Sequence, residues 1–125
     1  MDLIAGSDRR MPVHATSAGK ALAAFDPLVA TARKQAGFPK LTARTIATAA
    51  DFDEALAEVR RCGVAFNVGE SRPEVTAVAA PVRSRDGRAY AAISVVGPSP
   101  EFGDHGRAAR LVLAAAAKLS HALAG

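Results

Sequence analysis

The sequence predicts an α+β domain in which an antiparallel sheet is flanked by helices and closed by a long C-terminal helix. Three observations carry that prediction. Two apolar runs, Val75 to Val82 and Ala89 to Gly97, flank Arg85-Asp86-Gly87-Arg88, and Asp-Gly between such runs is a strong hairpin signal. After Gly97-Pro98, residues Glu101 to Leu123 place apolar side chains at helical spacing. Upstream, a helical pattern from Asp51 stops at Gly63 and passes straight into an extended stretch, Val64 to Val68. Helix, strand, hairpin and helix in that order argue against a doubly wound parallel sheet.

A chain of 125 residues suits one domain, because a chain this long buries roughly two-thirds of its unfolded surface. No repeat, linker or low-complexity tract divides it. Half of it is hydrophobic but only 5% is aromatic and Trp is absent, so Ala, Val and Leu must build the core. Small side chains of this kind pack closely and leave room for hollows.

The elements follow in order. Asp2 to Ala5 reads as the tail of an extended segment, and Met11-Pro12 delivers the chain to His14-Ala-Thr-Ser-Ala-Gly-Lys20. Thr16 or Ser17 caps a helix running to about Phe25, and Asp26-Pro27 opens a second helix that ends near Gly37. Asp51-Phe-Asp-Glu54 resembles a capping box, and Phe52, Leu56, Val59 and then Cys62 recur at helical spacing. On the last helix, Ala108, Leu111, Val112, Ala115, Leu119 and Ala122 form the stripe expected to cover the sheet.

With Asp86 and Gly87 as a two-residue loop, Arg85 pairs with Arg88, Ala79 with Ser94 and Ala77 with Val96. Side chains alternate across a strand, so this register assigns faces. Val78, Ala80, Val82, Ala91, Ile93 and Val95 share one face, which is plain core. Ala77, Ala79, Ser94 and Val96 share the other, a small-residue lining with one hydroxyl, which suits a hollow that orients a ligand. A hydroxyl left unpaired there costs about 1–3 kcal/mol. Ser94 therefore bonds either to the backbone or to a ligand.

The composition excludes several functions. The longest apolar run, Leu111 to Ala117, is far short of the roughly 20 residues that span a bilayer, and no signal-like segment opens the chain. A soluble cytoplasmic protein with no membrane partner is expected. The net charge of +4 comes from sixteen scattered Lys and Arg without interleaved aromatics, which is not a nucleic-acid stacking surface.

The Gly19-Lys20 pair fails the phosphate-loop pattern, which requires Gly at position 14 and a hydroxyl at position 21, where His14 and Ala21 stand. Ser17 lacks the glycines of a nucleophile elbow. The alternatives left for this stretch are a plainly capped helix, or one whose amides at Ser17, Ala18 and Gly19 face a cavity and hold a carboxylate. Cys62 has no partner for a metal site or a disulfide and reads as a small core residue. His105 and His121, sixteen residues apart, share no metal and read as solvated, while His14 caps or packs locally. Asn67 and Glu70 bracket a turn, as turn formers or as cavity wall. No catalytic residue, metal or cofactor is expected.

"MPVHATSAGKALAAF", "TIAT", "VRRCGVAFNVGE" and "VAAPVRSRDGRAYAAISVVGP", in that order and spacing, resemble the effector-binding domain of IclR-type bacterial transcriptional regulators over nearly the whole chain. The resemblance implies a GAF-like domain that binds a small organic or aromatic carboxylate. It also implies homo-oligomers, as dimers or dimers of dimers, and control of DNA only through a winged helix-turn-helix absent from this chain. Residues 1–125 would then be an effector domain partial at its N-terminus. Matching positions imply an effector pocket from the backbone around Ser17 and Ala18 with Asn67, Ala77, Ser94 and Val96. The sequence departs from the family pattern where Asn67 and Gly69 replace frequent acids, and where Ala77 and Val96 replace the Cys and Ser of members with very small acid ligands. The less polar pocket argues against a two- or three-carbon oxoacid and for a larger or aromatic carboxylate. The alternatives are a truncated dimerisation module with a vestigial pocket, and an enzyme with Cys62 as nucleophile.

Overall fold

The structure is a computed structural model that describes residues 12–124; the extended stretch expected at Asp2 to Ala5 lies outside them. The elements are α1 (Ser17–Phe25), α2 (Pro27–Ala36), α3 (Ala49–Cys62), β1 (Ala65–Val68), β2 (Val75–Arg83), β3 (Ala89–Pro98) and α4 (His105–Ala124). The strands form one antiparallel sheet in the order β1-β2-β3, and the α+β class follows.

Caps set the helix starts. Thr16 accepts from the Gly19 amide at the head of α1, and Asp26 accepts from the Leu28 amide ahead of Pro27. The third helix begins earlier than its sequence suggests: Thr48, not Asp51, is the cap, accepting from the Asp51 amide at 3.1 Å. Gly63 ends it in the left-handed conformation at φ 81°. The last helix begins later than Glu101, because Ser99–Glu101 forms a 3₁₀ turn and Gly103 turns the chain at φ 78°. Asp104 Oδ1 then accepts from the amides of Gly106 and Arg107.

Between β2 and β3 the pairs Ala77–Val96, Ala79–Ser94 and Val82–Ala91 stand as expected, but the loop does not. Ser84 N–H donates to Arg88 O and Gly87 N–H to Ser84 O, so the loop is Arg85-Asp86-Gly87. Glycine takes the positive φ of 86° that a three-residue loop requires. The extra loop residue shifts the register by one, so that Arg83 pairs with Ala89, and a bulge at Tyr90 shifts it back. The faces are therefore those expected from a shorter loop.

One face packs under α4, where Val78, Ala80 and Val82 meet Ala108, Val112 and Ala116. The α4 stripe is narrower than expected: Leu111 and Leu119 are 61% and 44% exposed, Ala122 is exposed and Ala115 half-buried. The other face carries α1, which packs with α3 through Ala21, Ala24, Phe52, Leu56 and Val59 against Ala65 and Ala79.

Candidate functional site

A cavity of about 140 Å³ lies where the N-terminus of α1 meets the small-residue face of the sheet, lined by Thr16, Ser17, Ala18, Asn67, Ser71, Val75, Ala77, Ala92, Ser94 and Val96. The structure thus brings together six of the seven residues singled out from the sequence. Gly19 is the exception: its amide is spent on Thr16 Oγ1 at 3.1 Å. There is no room for a side chain there either, since a Cβ would stand 2.5 Å from Val13 Cα.

What the lining offers is specific. The first amides of a helix have no partner within it. Lys20 N–H bonds Thr16 O and Gly19 N–H bonds Thr16 Oγ1, whereas those of Ser17 and Ala18 have no partner among the described residues. The hydroxyls of Ser17 and Ser94 likewise make no hydrogen bond among the described residues. The residues that carry these unpartnered groups, Ser17, Ala18 and Ser94, all belong to the lining of one small chamber, whose described wall has no charged side chain.

Asn67 is both turn former and wall. It is 2% exposed; its Nδ2 donates to Ala15 O at 2.8 Å and to Ser71 Oγ at 3.3 Å, and its Oδ1 accepts from Glu70 N–H. With those bonds made, it shapes the chamber and fixes the loop before α1. Val75 and Ala92 join the lining without having been singled out, although the hairpin register places both on this face. Ser71 comes from a turn, and nothing in its sequence context marks it.

The other candidates fall elsewhere. Glu70 is paired with Lys20 (Nζ to Oε1, 2.7 Å). His14 is fully buried, set edge-on to Phe38 and donating from Nε2 to Pro39 O at 2.7 Å. His105 is exposed and stacks on Phe66. Cys62 is exposed, not a core residue, and its thiol donates to Glu58 Oε1 at 3.1 Å. That bond holds the proton on sulfur and raises the thiol's pKa, the opposite of what a nucleophile needs. No cluster of His, Cys, Asp or Glu among the described residues suits a metal ion, and no described helix is long and apolar enough to cross a membrane.

An antiparallel sheet closed by a long helix, with a small chamber under a helix N-terminus, is the architecture of this chain. Residues 3–121 match the family described as bacterial transcriptional regulator IclR C-terminal. The chain belongs to that family, whose members are transcriptional regulators.

Among its relatives, the glycerol operon regulatory protein of Streptomyces griseus is 38% identical over 87 residues, 70% of this chain and 34% of that protein. The chain thus spans about a third of that relative's length. An IclR transcriptional regulator from Alicyclobacillus acidocaldarius superposes with a TM-score of 0.80 at 26% identity, covering 90% of this chain and 46% of the other. The inducer-binding domain of PobR from Acinetobacter, solved as a double mutant in complex with 3-hydroxybenzoic acid, superposes with a TM-score of 0.73 at 25% identity, covering 90% and 65%.

Proposed function

We propose that the chain is the effector-sensing part of a bacterial transcriptional regulator and that the chamber under α1 binds a single-ring carboxylate. The observation that carries this is that Ser17, Ala18 and Ser94, which hold unpartnered amides and hydroxyls among the described residues, line one small space together. A carboxylate takes the two amides, where the helix dipole adds about 0.3–1 kcal/mol, or up to roughly 2 when partly buried. The ring lies against Ala77, Ala92 and Val96, since a cavity of about 150 Å³ accommodates a benzene. A ring hydroxyl reaches Ser94. PobR, a structural neighbour crystallised with 3-hydroxybenzoic acid, supports the ligand class.

Regulation then requires the ligand to prefer one of two subunit arrangements, since a ligand that binds both equally shifts nothing. Self-association is favoured by the exposed α4 stripe of Leu111 and Leu119. In the full regulator the arrangement of subunits sets the spacing of DNA-binding domains, which is how the signal reaches DNA.

The test is a thermal-shift series with glyoxylate, pyruvate, benzoate and 3- and 4-hydroxybenzoate, with Ser94→Leu as the control. A ligand at a hundred times its dissociation constant stabilises by about 2.7 kcal/mol, which raises the midpoint by several degrees for a domain of this size. The benzoates should stabilise the native chain and not the variant. Equal shifts in both, or shifts with the oxoacids alone, would overturn the assignment.

A further inference from the structure

A second and larger cleft, of about 540 Å³, lies at the hairpin end of the sheet, between the end of α1 and the second half of α4. It exists because β1 is short. Pairing with β2 begins at Ala65–Ala79, so no described strand covers the β1-side edge of β2 from Ala80 to Arg83. An uncovered edge ordinarily invites another strand, but this one is blunted. Pro81 has no N–H, and the Arg83 N–H donates to Ser120 Oγ of α4 at 3.0 Å. What remains is a chamber for a small molecule rather than a rail for a peptide.

Its chemistry is divided. The floor is apolar, with Phe25 from α1 and Leu113 and Ala117 from α4, and the rim carries Arg83, Arg85 and His121. Arg83 is held in place: its guanidinium lies 4.1 Å from the Phe25 ring centroid and its Nε donates to Gly87 O at 2.8 Å. Gly87 makes that approach feasible, because a Cβ there would stand 3.0 Å from Arg83 Nη2. Neither Arg83 nor Arg85 is paired with a carboxylate among the described residues. No Asp or Glu among the described residues is in the lining, and the neighbouring Asp86 spends Oδ1 on Ser84 Oγ and the Arg88 amide. Two unpaired guanidinium groups and an imidazole thus border an apolar floor.

We propose that this cleft is a second small-molecule site, separate from the chamber under α1, which takes an amphipathic monoanion. Its apolar body lies on Phe25, Leu113 and Ala117, and its anionic head is held by Arg83, Arg85 and His121. The two sites share β2, so occupancy of one is positioned to bias the other.

The probe is 8-anilino-1-naphthalenesulfonate, titrated by fluorescence into the folded chain, with its uncharged analogue N-phenyl-1-naphthylamine beside it. The expected result is one saturable site per chain that survives Ser94→Leu. Arg85→Glu, a turn residue whose side chain makes no described contact, should weaken sulfonate binding by about tenfold without moving the melting midpoint. The neutral analogue should bind at least about tenfold more weakly than the sulfonate. Native-like affinity in a folded Arg85→Glu, His121→Glu double variant, equal binding of the neutral dye, or loss of the site in Ser94→Leu would each overturn the proposal.

Discussion

Lys20 of α1 reaches the carboxylate of Glu70 in the turn after β1, with Nζ and Oε1 2.7 Å apart and the two side chains 6% and 15% exposed. The same ammonium donates to Phe66 O, and Glu70 Oε2 accepts the Val68 amide. This pair ties the helix whose N-terminus forms the chamber to the turn that Asn67 closes from β1 by accepting the Glu70 amide. Lys20→Met should destabilise the chain by about 3 kcal/mol, because it leaves a largely buried carboxylate without its partner. Lys20→Met with Glu70→Gln should recover a good part of that loss, and chemical denaturation of the native chain, the two single variants and the double variant measures it. An additive pair of losses would show that the two groups act independently.

Gly19 stands where any side chain meets backbone, with Val13 Cα at 2.5 Å and Val13 O at 2.7 Å. Gly19→Ala should cost about 1–3 kcal/mol through overpacking and should also displace the first turn of α1 from the chamber. The expected signature is a lower midpoint together with a reduced benzoate shift. A stability loss with the ligand shift intact would separate the helix start from binding.

The cap of α3 can be tested against its neighbour. Thr48→Ala should cost about 1 kcal/mol, since it removes the acceptor of the Asp51 amide. Asp51→Ala, at an exposed position, should cost less, limited to a favourable charge near the helix start. Denaturation midpoints that rank the two in the reverse order would place the cap at Asp51 after all.

Cys62 tests a proton's position. The hydrogen bond to Glu58, helped by that carboxylate's charge, raises the thiol pKa. The Glu58 carboxyl is lowered by the same bond and by Arg61. Alkylation by iodoacetamide should therefore be slow at neutral pH despite exposure, with its pH midpoint above that of a free thiol. Glu58→Ala should bring the midpoint down, and an unchanged midpoint would show that the bond does not form in solution.

These features differ in how far they could be read in advance. The faces of the hairpin were legible because side chains alternate with period two, so one turn signal places the pairs from Ala77–Val96 to Val82–Ala91, although the loop itself is one residue longer and the Tyr90 bulge cancels the difference. Helix starts were less so. Asp51 resembles a cap in its own window, but Thr48 three residues earlier has the same chemistry, and only the surrounding chain decides between them. Cys62 shows a different limit: helical spacing places it beside Val59 but does not say that packing ends one turn earlier. The Lys20–Glu70 pair, fifty residues apart, leaves no local mark at all. Ser17, Ala18, Ala77, Ser94 and Val96 emerged because a local cap and a local register happen to meet there.

The three-residue loop and the Tyr90 bulge are two length changes of opposite sense in one strand. The longer loop alone would put Ile93 and Val95 where Ser94 and Val96 now line the chamber, and the bulge alone would put Val95 and Gly97 there. Loss of one shift without the other would therefore be felt at a hydroxyl midway along β3, well away from the exposed tip where the loop lies.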